Sequence, residues 1–194
     1  MPRPSRVHEI VAAATKLFSE RGFLGTSVRA IAEAAGMHSG GLYSHFPSKE
    51  ALLYHIVSET LQRQLDAVAE VCRSDLDPAA KFRAAFLTHV STNFEIGGAS
   101  TARLFLLDWR YLTGKELEHV LQLRRAYEKL WDDLLEEGVA AGVFRKDMDT
   151  HMTRLVPISV ANWAIMWFDP NGPRSVEEVF GKVADEMLQG FLAR

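Results

Sequence analysis

Thr26-Ser-Val-Arg-Ala-Ile-Ala-Glu-Ala-Ala-Gly36 is the stretch on which the fold turns, with Gly41-Leu-Tyr-Ser-His-Phe-Pro-Ser-Lys-Glu-Ala-Leu52 close behind it. Thr26-Ser27 supplies an N-cap for a short helix carrying Val28, Ile31, Ala32 and Ala35. Gly36 ends that helix, because glycine accepts the left-handed backbone a chain reversal needs. A third short helix is expected from about Ser39 to His45, stopped by Pro47. Met37, Leu42 and Phe46 point to a small core, which leaves Ser39, Gly41, Tyr43 and Ser44 on an outer face of hydroxyls and little bulk. Helix, glycine turn and helix is the geometry of a helix-turn-helix, whose second helix enters a major groove. Spacing alone fits an ordinary helical hairpin equally well.

Outward from this stretch the periodicity is helical. Val7, Ile10, Val11, Ala14, Leu17 and Phe18 form an i, i+3, i+4, i+7 stripe on a first helix expected to end before Gly22. Ser48 caps a long fourth helix reaching Cys72, and Asp77-Pro78 opens a fifth that ends near Phe94, ahead of Gly97-Gly98. Another helix is expected over about 101–112. Thr113 with Glu116 reads as a capping box for a long helix ending near Gly138 or Gly142. Asp149 caps an apolar helix running to Phe168, Asp169-Pro-Asn-Gly172 is a turn, and Ser175 with Glu178 is a second capping box for the last helix. With no alternating apolar pattern, the expectation is an all-α chain of about nine helices. It divides into a helix-turn-helix domain over 1–48 and a larger helical domain over 49–194.

Length and charge narrow the function. The 194 residues carry 22 Lys+Arg against 25 Asp+Glu, a net charge of −3, so the whole chain is no polycation. The charge is uneven. Residues 1–50 hold Arg3, Arg6, Lys16, Arg21, Arg29 and Lys49 against Glu9, Glu20, Glu33 and Glu50, a balance of +2, which leaves −5 for the rest. A mildly basic head on an acidic body points the head at an anionic partner. The single cysteine, Cys72, excludes an internal disulfide and a Cys-rich zinc site, and fits a reducing cytoplasm. No signal-type h-region follows the polar start, and the apolar run from Leu155 to Phe168 is too short for a membrane needing about twenty residues. A cytoplasmic protein without membrane attachment is the expectation. His89, His119 and His151 lack metal-ligand spacing, and no nucleophile elbow, phosphate loop or carboxylate pair stands out, so neither an enzyme, a metal nor a cofactor is expected.

Phe18-Ser-Glu-Arg-Gly-Phe23, Thr26 to Gly36 and Gly41 to Leu52 together resemble the amino-terminal domain of TetR-family transcriptional repressors, over about residues 5–55. The resemblance implies an all-helical homodimer whose first three helices bind DNA while the rest binds a small inducer and dimerises. Position by position, it places Thr26 and Ser27 at phosphates, where a helix start favours an anion. It places Ser39, Gly41 and Ser44 at bases, and Tyr43, His45 and Lys49 at phosphates. Arg29 joins this DNA-binding set. His38 departs from the family's small capping residue and is itself a candidate for DNA contact. Arg3 and Arg6 form an arm that either reaches a minor groove or stays solvated. A head that meets protein instead of DNA is the alternative.

Aromatic residues are dense in the body. Most such residues at helical spacing are core, yet a DNA-binding module needs no large aromatic body, so some are expected to line a ligand cavity. The candidates are Phe86, Phe105, Trp109, Arg110, Arg124, Tyr127, Trp131, Trp163 and Trp167; Arg124 has Glu128 at i+4 as a surface alternative. Glu136 to Phe144, Asn162-Trp163 and Trp167 to Glu178 resemble the carboxyl-terminal domain of TetR-type regulators of fatty-acid and sterol degradation. That resemblance implies an acyl-CoA thioester as inducer, with drug-like or other hydrophobic effectors as alternatives. The last two helices are the expected dimer interface, through Leu155, Ile158, Val179, Phe180, Val183 and Met187. Burial within one monomer is the competing use for those side chains. A two-fold dimer reads double-stranded DNA as an inverted repeat, with heads roughly 34–36 Å apart.

Overall fold

Capping side chains, glycines and prolines set the boundaries of the helices, and the computed structural model, which describes residues 6–95, 104 and 106–193, has helices where this punctuation allows them. Nine α-helices are seen among the described residues. They are α1 (Arg6–Gly25), α2 (Val28–Ala34), α3 (Ser39–Tyr43), α4 (Lys49–Cys72), α5 (Pro78–Glu95), α6 (Gly114–Ala140), α7 (Thr150–Thr153), α8 (Leu155–Trp163) and α9 (Val176–Phe191). Two 3-10 turns, Asp108–Tyr111 and Ala164–Met166, complete the regular structure. The all-α expectation holds. The one strand-like feature among the described residues is an isolated bridge between Phe144 and Leu192.

The chain falls into two compact units, one built from 1–61 and 97–121, the other from 62–96 and 122–194. In the first, α1 packs on α2 and α2 on α3. Ile10, Ala14 and Phe18 of α1, Ile31 and Ala32 of α2 and Leu42 of α3 are all buried. In the second, α5 packs on both α8 and α9. Its core holds Phe82 and Phe86 of α5, Tyr127 and Trp131 of α6, and Phe144, Ala161, Phe180 and Phe191. The rings meet edge to face, Phe82 lying 5.9 Å from Trp131 and 5.2 Å from Phe191, the arrangement that ring quadrupoles favour.

Three boundaries differ from the sequence expectation. First, α1 continues to Gly25 across a kink at Gly22, whose φ of 75° only glycine adopts easily. Second, the helix expected from Asp149 to Phe168 is broken into α7, α8 and a 3-10 turn. Asp149 does cap α7, accepting from the Met152 N–H at 3.0 Å. Pro157, however, lacks an N–H for the Thr153 carbonyl and its ring crowds that oxygen, so the helix breaks at Arg154. Third, the helix expected over 101–112 lies partly outside the described residues, and its end is the 3-10 turn Asp108–Tyr111. The capping box of Ser175 and Glu178 is present as expected. The α6 helix ends as glycine predicts. Gly142 has φ 72°, its N–H bonds the Val139 carbonyl at 3.1 Å, and the Val143 N–H bonds the Gly138 carbonyl at 3.0 Å.

Candidate nucleic-acid interface

The reading unit is assembled by local bonds. Ser27 caps α2, its Oγ accepting the Ala30 N–H at 3.1 Å. Gly36, at φ 68°, reverses the chain while its own N–H bonds Glu33 and the Met37 N–H bonds Ala32. Leu42, fully buried, and Phe46 anchor α3 from its inner side, and Met37 is half-buried. His38 occupies the N-cap of α3 with no side-chain capping bond. It is exposed, so this helix start forgoes about 1 kcal/mol of capping and leaves the imidazole to solvent.

What remains outward is Ser27 and Arg29 on α2 and Gly40, Gly41, Tyr43, Ser44 and His45 around α3, all exposed, with Ser39 half-buried. Tyr43 is 52% exposed, a large apolar ring left in water. Ser44 donates from Oγ to the Gly41 carbonyl at 2.7 Å. Arg29 pairs with Glu33 at 2.8 Å and Arg6 with Glu9 at 2.8 Å. Exposed pairs of this kind are worth under about 1 kcal/mol, so a phosphate competes for either guanidinium on even terms. Arg3 lies outside the described residues.

The two glycines of α3 are informative because the fold does not require them. Neither has a positive φ. A Cβ added at Gly40 would meet nothing within 4 Å, and one at Gly41 only Met37 at 4.0 Å. Glycine inside a helix costs about 1 kcal/mol relative to alanine, so two in a five-residue helix are a stability loss with no internal return. Their effect is external: a backbone face that a flat-edged partner can approach closely. Accordingly Gly40→Ala is expected to raise the thermal stability of the protein by about 0.5–1 kcal/mol. Gly41→Leu, in the same helix, is expected to fold and to lose DNA affinity, read by fluorescence anisotropy on a bound duplex.

Two residues expected at phosphates make inward bonds. Thr26 is 2% exposed, and its hydroxyl bonds the Leu17 carbonyl at 3.1 Å and the Gly22 carbonyl at 2.9 Å. Lys49, half-buried, donates from Nζ to the Phe23 and Thr26 carbonyls, both at 2.9 Å. Sequence pattern marks both positions as functional but does not show where the side chains turn.

The residues expected to line a ligand cavity are distributed. Phe86, Tyr127 and Trp131 are buried together in the second unit's core, with Arg124 half-buried on α6. Glu128 bonds Arg154 at 2.9 Å. Trp109 and the exposed Arg110 belong to the 3-10 turn of the first unit, the guanidinium lying 5.9 Å over the indole. Trp163 and Trp167 stand out at 62% and 55% exposure, and Phe105 lies outside the described residues. Of the positions expected at a dimer interface, Leu155 is exposed and Ile158, Val179, Val183 and Met187 are half-buried. Phe180 is fully buried in its own chain, 5.1 Å from Phe168 and 6.3 Å from Phe86, and offers nothing to a partner.

Sequence reasoning missed a polar chain through that core. Tyr127 Oη lies 2.8 Å from His89 Nδ1, and His89 Nε2 lies 3.0 Å from Asn162 Oδ1. Gln64 donates to Asn93 at 3.0 Å, and Asn93 to the Ala161 carbonyl at 3.0 Å. Burial pushes the His89 pKa down to about 4 and the Tyr127 phenol up. A readable signal existed: Phe82, Phe86, His89 and Asn93 share one face of α5 at i, i+4, i+7 and i+11. Burial also pushes the Cys72 thiol up, which fits an unreactive packing role. Among the described residues no three His, Cys, Asp or Glu gather to hold a metal ion, and no helix is long and apolar enough to cross a membrane.

Comparison with known proteins agrees with this geometry. Residues 10–56 match the family model for bacterial regulatory proteins of the tetR family, and residues 75–191 match that of the tetracyclin repressor-like C-terminal domain. The HTH-type transcriptional repressor KstR2 of Rhodococcus jostii (strain RHA1) is 32% identical over 191 residues, 97% of this chain and 92% of that protein. The TetR family transcriptional regulator PfmR from Thermus thermophilus superposes with a TM-score of 0.85 at 32% identity, covering 95% of this chain and 99% of its own. AibR, solved with isovaleryl coenzyme A and operator DNA, shares the fold at a TM-score of 0.81 and 23% identity, over 97% and 98% of the two chains. With both halves matched and the repressor's length almost fully spanned, the chain belongs to the TetR family of bacterial regulatory proteins, as a DNA-binding regulator and not an enzyme.

Proposed function

We propose that this protein is a dimeric cytoplasmic repressor that holds an inverted-repeat operator and releases it when a small hydrophobic molecule, of the acyl-CoA thioester class, binds its body. Residues 1–48 act as the DNA-binding domain and 49–194 as the ligand-binding and dimerisation domain. The observation that carries this reading is the outward face of α3, where two glycines without an internal purpose lie beside an exposed tyrosine and serine. Ser39, Gly41 and Ser44 read base edges, and Ser27, Tyr43 and His45, with Arg29 and Arg6 after exchange of their ion pairs, hold the strands.

The dimer face is supported by a stripe of uncovered apolar residues on α7, α8 and the following turn. Met152, Leu155, Val156, Trp163, Met166 and Trp167 are between 45% and 63% exposed. Monomeric proteins rarely leave such a contiguous patch in water, and a second copy of the chain is its natural cover in a family built as dimers. On this reading Trp163 and Trp167 serve the dimer and not the ligand. Support for the acyl-CoA class comes from the fold shared with AibR and from the carboxyl-terminal sequence resemblance. Inducer acts by population shift: it binds better to a dimer whose heads are out of register with DNA, with coupling of about 1–3 kcal/mol per site.

Selection of bound duplexes from a random pool, repeated with acyl-CoA thioesters present, tests the reading. Recovery of a palindrome, and loss of that recovery with the thioester, is the expected result. No enriched duplex even in dilute buffer without effector would overturn it.

A further inference from the structure

His38 stands where a helix ordinarily uses a side chain for itself. An N-cap Ser, Thr, Asp or Asn accepts a backbone N–H of the first turn. At His38 the backbone takes the N-cap form, φ −82° and ψ 153°, and its carbonyl accepts the Gly41 N–H at 2.9 Å. The imidazole, however, makes no capping bond and is exposed. The α2 helix of the same head shows the contrast, since its N-cap, Ser27, holds the Ala30 N–H. The turn that His38 leads into is bare. After Ser39 come Gly40 and Gly41, where an added Cβ would meet nothing, or only Met37 at 4.0 Å. Beside the ring, along the helix, lie one small serine and two Cα atoms without side chains.

The rest of α3 is poor in groups that read bases. Its outward side chains, Ser39 and Tyr43, with Ser44 after them, carry hydroxyls, and Ser44 Oγ is turned to the Gly41 carbonyl at 2.7 Å. From residue 38 to residue 45, side-chain nitrogen occurs at His38 and His45 alone, and His45 lies past the C-cap. In a helix-turn-helix the N-terminal residues of the second helix are the ones that reach base edges. We propose that His38 is a specificity-determining residue, its imidazole N–H reading a guanine in each half-site of the operator. The proposal rests on the DNA-binding reading above and adds the base that one side chain selects. A neutral imidazole has one N–H to give. In the major groove guanine presents two acceptors side by side, N7 and O6, whereas adenine sets an amino donor beside its N7 and cytosine presents a donor. Guanine is therefore the base edge that best satisfies a single N–H at that place.

Selection from a random duplex pool, run with full-length wild type and with His38→Ser, tests the assignment. Wild type is expected to enrich a palindrome with one guanine per half-site that depends on His38. In His38→Ser the preference at that symmetric pair of positions is expected to fall by about five- to tenfold, with the rest of the palindrome retained. Serine also supplies the missing cap, so the variant is expected to melt about 2–4 °C above wild type. Lower specificity in a more stable protein is a signature that a residue acting through the fold does not give. A palindrome identical in the two proteins overturns the proposal. Equal weakening on every sequence, the mark of a phosphate contact, overturns it too, as does a variant that melts below wild type, which would place the ring at work inside the fold. Wild type that selects no duplex would defeat the DNA-binding reading itself, and this proposal with it.

Discussion

Gly138→Ala is expected to destabilise the protein by about 3 kcal/mol, the largest effect of a glycine-to-alanine change among the described residues. Gly138 lies in the last turn of α6, and a Cβ built there would overlap Cδ2 and Cε2 of the Phe144 ring. The ring has little freedom to move. The Phe144 and Val143 N–H groups both bond the Gly138 carbonyl at 3.0 Å, so the backbone beneath the ring is tied to the residue being changed. The ring itself is fully buried, 6.5 Å from Phe82 and 6.4 Å from Phe191. Relief therefore means either overpacking, at about 1–3 kcal/mol, or expulsion of a core phenylalanine, at about 3–5. For a chain of this size that corresponds to a midpoint lower by roughly 6–12 °C. Gly190→Ala is the control, since a Cβ there meets nothing within 4 Å of a residue in α9. It is expected to be neutral or mildly stabilising. Thermal denaturation of both variants checks the pair, and a Gly138→Ala change under about 0.5 kcal/mol would contradict the packing described.

Comparison of α2 and α9 shows what was legible in the sequence and what was not. Local punctuation reads directly, because a cap or a glycine acts on its own neighbours. Ser27, Gly36, Ser48, Asp149 and the Ser175–Glu178 box all do what residue type and spacing imply. Which neighbour covers an apolar stripe is a tertiary matter. The α9 helix carries two adjacent stripes, and the one expected to face a partner includes Phe180, which in fact packs inward with Ala184 and Phe191. Its companions Val179, Val183 and Met187 stay half-buried beside it. Leu155 to Phe168 is apolar nearly all round, so periodicity gives no face at all, and Pro157 breaks a helix that hydrophobicity alone would continue. The candidate site divides likewise. The outward positions of α3 follow from the buried Leu42 and Phe46 by helical geometry. Lys49 and Thr26 do not, because their partners are backbone carbonyls with no side-chain signature.

Stability is expected to fall by roughly 3 kcal/mol between pH 6.5 and pH 4 on account of His89 alone. The imidazole is fully buried, with Tyr127 at Nδ1 and Asn162 Oδ1 at Nε2. The amide oxygen only accepts, so Nε2 carries the proton and Nδ1 accepts the Tyr127 O–H. Both ring nitrogens are satisfied by the neutral form, and protonation would place an N–H against the phenol's hydrogen and a charge in a fully buried site. Burial is the main cause that pushes the pKa down to about 4. The sign follows from proton counting. In the unfolded chain the histidine takes up a proton as pH drops below about 6.5, whereas the folded state resists until about 4. Across that window the unfolded state binds more protons, so stability declines with falling pH by up to about 1.4 kcal/mol per unit, then levels off. The Glu178 carboxyl is held below its ordinary value by the Ser175 N–H, so it adds a loss of its own only at the acid end, below about pH 5, and does so in wild type and variant alike. Urea denaturation at intervals from pH 7.5 to 4.5 measures the slope in wild type and in His89→Leu. The variant loses the ring's bonds to Tyr127 and Asn162 and starts less stable, but its stability is expected to stay flat from about pH 6.5 to 5, where the wild type already declines. A wild-type curve as flat as the variant's would mean that His89 takes up its proton in the fold as readily as in the unfolded chain, which would overturn the buried neutral imidazole described here.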